Sequence, residues 1–172
     1  MDTTTALFAT CIAIFMAGSF IVLFPKLKFW KKNKSNNASL TDDKQSKQMQ
    51  LAAYERLLLL VDRIALQNLI SREALPNLSC REMQHLLSQN LKQEFEFNIT
   101  QQIYVSADSW TSIKNLRDQN LLIIHQIAQS LPANATGTDL NKSILEFLAN
   151  DQRGKLHELV SEVLSFEAKK LL

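Results

Sequence analysis

The 172-residue chain is 46% hydrophobic and 21% charged, enough for one folded domain with an anchor. Three Gly and three Pro are too few for the many turns of an all-β fold, so the composition points to long helices. The net charge of +2 does not mark a nucleic-acid binder: after Lys34 the chain carries fourteen basic and sixteen acidic residues, and a nucleic-acid-reading domain needs its own positive footprint.

After a short tail (1–5), "ALFATCIAIFMAGSFIVLF", Ala6 to Phe24, runs nineteen residues without a charge. At the helical rise this spans roughly 28 Å, close to the hydrocarbon thickness of a bilayer. A cleaved leader needs a positive region before the apolar core, and here the only side-chain charge before it is Asp2. The expectation is an uncleaved transmembrane helix over 6–24. Lys26, Lys28, Lys31, Lys32 and Lys34 follow it, with Phe29 and Trp30 among them. Lysine-rich flanks face the cytoplasm, so the amino terminus is expected outside and the rest of the chain inside. The same lysines attract anionic membrane lipid, and Trp30 suits the headgroup level. Ala9, Ala13 and Ala17 form a small-residue stripe that would let two anchors pack, giving a homo-oligomer; alanine is also simply common in such helices.

Residues 25–47 read as a basic juxtamembrane segment and polar linker, and 48–172 as a helical domain. From Met49 to Leu75 there is no Gly or Pro, and Tyr54, Leu57, Leu58, Val61, Ile64, Ala65 and Leu69 recur at helical spacing, which predicts one continuous helix ended by Pro76. Leu59, Leu60 and Leu66 broaden its apolar stripe. They are either further core or an exposed contact patch for a protein partner.

Ser79-Cys-Arg-Glu82 has the form of a capping box. From it Met83, Leu87, Leu91, Phe95, Ile99 and Ile103 repeat every four residues, which favours helix, although 95–105 also alternates like a short strand. Glu94 and Glu96 are expected on a solvated face. Ser106 caps the next helix, whose inner face holds Trp110, Ile113, Leu116, Ile123, Ile124 and Ile127; Asn120 falls on that face, buried and hydrogen-bonded or at its edge. Gly137 suits a loop, Thr138 is expected to cap a short helix with Leu140, Ile144, Phe147 and Leu148 inward, and Gly154 breaks it. A last helix follows with Leu156, Leu159, Val160, Val163 and Leu164 inward. The expected fold class is therefore all-α: one transmembrane helix plus a cytoplasmic bundle of about five helices.

Chemistry is sparse. His85, His125 and His157 have no ligand spacing, there is no Cys-x-x-Cys, and the three glycines stand alone, so neither a metal site nor a phosphate loop is expected and no cofactor is implied. Cys11 lies in the apolar run and Cys80 far beyond it, which implies no disulfide. Cys80 sits at a predicted helix start, where the dipole lowers a thiol pKa, and His125 lies beside an apolar face. The default reading is a membrane-anchored interaction or scaffolding module with an unknown protein partner. The alternative is a membrane-bound enzyme with its site around Cys80 or His125.

Three stretches, "AYERLLLLVDRI" (53–64), "EMQHLLSQNLKQEFEFNITQQIYVSADSW" (82–110) and "ATGTDLNKSILEFL" (135–148), behind an N-terminal anchor, resemble a family of uncharacterised single-pass membrane proteins from Bacteroidetes-type bacteria. The resemblance implies a bacterial inner membrane and brings no activity, cofactor, partner or site residue with it.

Overall fold

A computed structural model describes the backbone of residues 38–172, with side chains from residue 43. The expected transmembrane helix over 6–24, its Ala9, Ala13 and Ala17 stripe and its flank from Lys26 to Lys34 lie outside the described residues. Among the described residues no helix is long and apolar enough to cross a membrane. The chain divides into two units, residues 1–46 and 47–172, and the second holds the helical domain.

The described residues are all-α, with six helices: α1 (Ala38–Ile64), α2 (Leu66–Glu73), α3 (Cys80–Phe97), α4 (Ala107–Ser130), α5 (Gly137–Asn150) and α6 (Leu156–Lys169). Short 3-10 turns at Ile99–Ile103 and Gln152–Lys155 join α3 to α4 and α5 to α6. α3 packs against α2, α4 and α5, and α4 also carries α6. One core runs through all six, from Tyr54, Leu57 and Ile64 through Met83, Leu87 and Leu91 to Ile113, Ile124, Ile144 and Leu164. Phe95 stacks on Trp110 with ring centroids 5.2 Å apart, joining α3 to α4.

The continuous helix expected from Met49 to Leu75 is broken. Ala65 has ψ 125°, so α1 stops at Ile64 and α2 restarts at Leu66, with no Gly or Pro at the break. The freed carbonyls find side-chain donors. Asn68 Nδ2 donates to Asp62 O at 3.0 Å, the Arg72 guanidinium reaches Arg63 O at 3.5 Å, and Asn120 Nδ2 of α4 donates to Ile64 O at 2.8 Å in the buried interior. Asn120 is therefore a core residue. It satisfies a helix end that would otherwise be stranded away from water.

The loops before α3 and before α5 end in the same kind of cap. In the first, Asn77 adopts φ 67°, a left-handed conformation that Asn tolerates. Ser79 then caps α3, and Glu82 returns the hydrogen bond to the Ser79 N–H at 2.9 Å. In the second, Thr136 rather than the expected Thr138 is the cap, and Asp139 closes an equivalent box. Thr138 lies inside the first turn, and Gly137 is the first helical residue rather than a loop. The two caps are tied together: Ser79 and Thr136 form an antiparallel bridge, with Cys80 N–H donating to Ala135 O at 3.0 Å and Gly137 N–H to Leu78 O at 2.7 Å. A Cβ on Gly137 would stand 2.9 Å from Met83 Cβ, so glycine lets the two helix starts approach this closely.

Residues 95–105 contain no strand. α3 ends at Phe97 and the chain tightens into the 3-10 turn, whose three-residue repeat carries Ile99 and Ile103 off the inner stripe and into solvent. The last helix also differs from expectation. Val160 and Leu164 are buried, but Leu159 and Val163 face outward.

Candidate interaction site

A groove of about 500 Å³ lies between α1 and α3. On α1, Arg56, Leu59 and Arg63 fall at spacings of three and four and so share one side of the helix, with Leu60 beside them. Phe97, Asn98 and Glu94 line the facing wall on α3 and its end. Leu59 is 66% exposed and Phe97 73% exposed, while Leu60 is buried to 1% and forms part of the floor. Large apolar surface left open beside arginine is the composition of contact surfaces.

The polar frame is held in place. The Arg56 guanidinium lies 4.9 Å over the Phe97 ring, and its Nε donates to Asn98 Oδ1 at 2.8 Å. Asn98, itself buried, donates back to Glu94 O at 2.8 Å. Arg63 donates to Glu94, and Arg72 Nη2 stands 3.8 Å from the same carboxylate. The Arg63 hydrogen bond holds the Glu94 carboxyl below its ordinary range, against the opposing effect of partial burial, and Glu94 in turn raises Arg63. Glu94 is thus engaged with α1 and α2 rather than simply solvated. Arg56 makes no ion pair among the described residues, so its charge stays available beside the two exposed apolar side chains.

The three leucines of the expected contact patch are separated by the fold. Leu60 and Leu66 are core, at 1% and 3% exposure: Leu60 belongs to the buried face of α1 with Leu57 and Ile64, and Leu66 opens α2 after the break. Of the three, Leu59 is exposed in the groove, Leu60 forms part of its floor and Leu66 does not line it. Phe97 and Arg56 are the residues the sequence reading missed. Phe97 lies two positions past the Phe95 stripe, where a large ring on the polar side of a helix was the available signal. For Arg56 it was the run Arg56, Leu59, Arg63, a leucine set between cations.

Cys80 and His125 offer little chemistry. Cys80 packs partly against the core at the start of α3, and desolvation followed by the nearby Asp139 charge pushes its thiol pKa up, opposite to the lowering expected from the helix dipole. His125 is exposed, with Nδ1 2.6 Å from Gln84 Nε2. His157 Nδ1 lies 3.1 Å from Gly154 O. Among the described residues no group of His, Cys, Asp and Glu is arranged to hold a metal ion.

A family of unknown function, DUF7935, matches residues 2–171, nearly the whole chain. The chain belongs to this family. Membership agrees with the resemblance to an uncharacterised family and attaches no chemistry to the groove. No curated protein matches the chain, and no solved structure does.

Proposed function

We propose that the chain is a membrane-tethered helical module that binds a protein partner in the α1–α3 groove. The observation that carries this reading is the pairing of exposed Leu59 and Phe97 with Arg56, held over the ring and without a carboxylate of its own among the described residues. Such a groove suits a segment with an apolar anchor for the Leu59–Phe97 surface and an acidic side chain for Arg56. The tether rests on the charge-free run 6–24 and its lysine flank, which support one span with the amino terminus outside and residues 48–172 in the cytoplasm. The family resemblance supports a bacterial inner membrane. A scaffold role follows if the partner is one component of a larger assembly. A raised thiol pKa at Cys80 gives the enzyme alternative no support.

The test is photocrosslinking in the native membrane, with the crosslinker placed in the full-length chain at position 59, at 97, or at exposed Lys142 as a control. One partner captured from 59 and 97 but not 142, and lost with Arg56→Glu, supports the groove. Equal capture from all three positions rejects it. Capture of the chain by itself alone turns the groove into a self-association surface.

A further inference from the structure

We infer that α6 is the dimerisation helix of this chain, and that its occupant is α6 of a second copy packed antiparallel. This surface is separate from the α1–α3 groove and does not depend on it.

α6 has two apolar faces. Val160 and Leu164 are buried against the domain, at 3% and 0% exposure. On the other side Leu159, Val163 and Phe166 are 56%, 41% and 63% exposed, spaced four and three apart so that they form one continuous stripe, and Leu172 beyond them is 89% exposed. The domain covers only one of these faces. An amphipathic surface helix has one such face, and a second calls for a second partner.

The charges beside the stripe select the partner. Glu162 and Lys169, both exposed, lie seven residues apart and so share one flank of the stripe, two turns from each other. In an antiparallel pair whose twofold axis passes beside Phe166, Glu162 of each copy meets Lys169 of the other, and the contact is made twice. The same alignment sets Phe166 against Phe166 and Leu159 against Leu172. A parallel pair, whose twofold runs along the helices, would set this flank against the opposite flank of the other copy and would not bring Glu162 to Lys169. The Glu162–Lys169 contact is therefore self-complementary in the antiparallel pair, as an isologous contact requires. Lys170, four residues after Phe166, lies 4.3 Å over its ring at the C-terminal end of the stripe and pairs with Glu167, while Glu162 and Lys169 make no ion pair among the described residues. A stripe this short gives a small, concentration-dependent contact rather than an obligate one.

The experiment measures the self-association of the full-length chain by sedimentation in detergent for four proteins: wild type, Phe166→Glu, Glu162→Lys, and the double reversal Glu162→Lys with Lys169→Glu. All three positions are solvent-exposed, and circular dichroism confirms that each variant keeps its helices. The expected result is a wild-type dimer, weakened at least roughly tenfold by Phe166→Glu and several-fold by Glu162→Lys, and restored by the double reversal. A monomeric wild type overturns the inference. So does a dimer indifferent to Phe166→Glu, as association through the N-terminal segment alone would give. Failure of the double reversal to restore binding overturns the antiparallel arrangement.

Discussion

Asn120 Nδ2 donates to the carbonyl oxygen of Ile64 at 2.8 Å, across 56 residues of sequence and inside the core. Asn141 is also buried, at 8% exposure, but its Oδ1 has no hydrogen-bond partner among the described residues. The same substitution should therefore have opposite effects at the two sites. Asn120→Leu strands the end of α1 and should cost about 1–3 kcal/mol, whereas Asn141→Leu removes a buried amide oxygen that has no partner and should be neutral or stabilising. Urea unfolding of the two variants beside wild type checks this, and equal losses would mean that Asn141 also has a structural partner.

Leu59 and Leu60 are neighbours in sequence with opposite fates. Leu59→Glu should leave the urea midpoint nearly unchanged, within about 0.5 kcal/mol. Leu60→Glu places a charge in the core and should cost more than about 3 kcal/mol. The proposed partner should be lost with Leu59→Glu while the fold persists, a combination that neither a pure core residue nor a bare surface residue gives.

The two domain glycines rank differently. At Gly137 an added methyl would stand 2.9 Å from Met83 Cβ, which the α3 backbone holds in place, and at Gly154 it would stand 2.2 Å from the Leu148 carbonyl oxygen. Gly137→Ala should cost roughly 1–3 kcal/mol, and Met83→Ala, which keeps the Cβ, should not rescue it. Gly154→Ala should cost more, since its clash with the Leu148 backbone is closer. Thermal melts that reverse this order would show that the α5–α6 turn is soft.

Acid should unfold the domain progressively. The Arg63 hydrogen bond lowers Glu94, and the Ser79 and Thr136 caps lower Glu82 and Asp139. Asp151 is held at about 2, chiefly by the Arg153 side chain and then by its N–H. For each carboxylate the folded value lies below the unfolded one. The stability it supplies is complete above the unfolded value, near pH 4, and is lost as pH falls through the folded value. Urea midpoints should hold from neutral pH to about 5 and decline below about 4. Glu94→Gln should flatten part of that decline, at a cost below about 1 kcal/mol at neutral pH because Arg63 is half exposed.

Burial raises the Cys80 thiol, so at neutral pH it stays protonated in the folded domain. Alkylation near pH 7 should be slow on the native protein and speed up once it is denatured. Fast native labelling would revive a reactive role for this residue.

The helices and most of the core were legible because a packed face repeats at helical spacing, and Ser79 and Ser106 announced their helix starts through side-chain chemistry. The second capping box was equally visible, since Thr136 stands three residues before Asp139, but Thr138 competed for the role. The break at Ala65 was not legible. No residue there forbids a helix, and the donor that satisfies its last carbonyl, Asn120, lies on another element. The outward turn of Leu159 and Val163 was hidden for a related reason: a stripe fixes which residues share a face, not how many faces have partners. Of the groove, Leu59 was visible, but its partner wall lies where α3 stops, and the bond from Arg56 to Asn98 there is a tertiary contact that no local pattern shows.

The bridge between the two capping boxes also carries a kinetic consequence. Its two segments come from different helix–loop–helix halves, so it should close only after both have formed and met, when the entropy of a long loop has already been spent. The Cys80 and Gly137 amides should therefore gain protection from hydrogen exchange late in folding. In the native protein they should exchange together, as the pair of reporters for any opening that separates the halves.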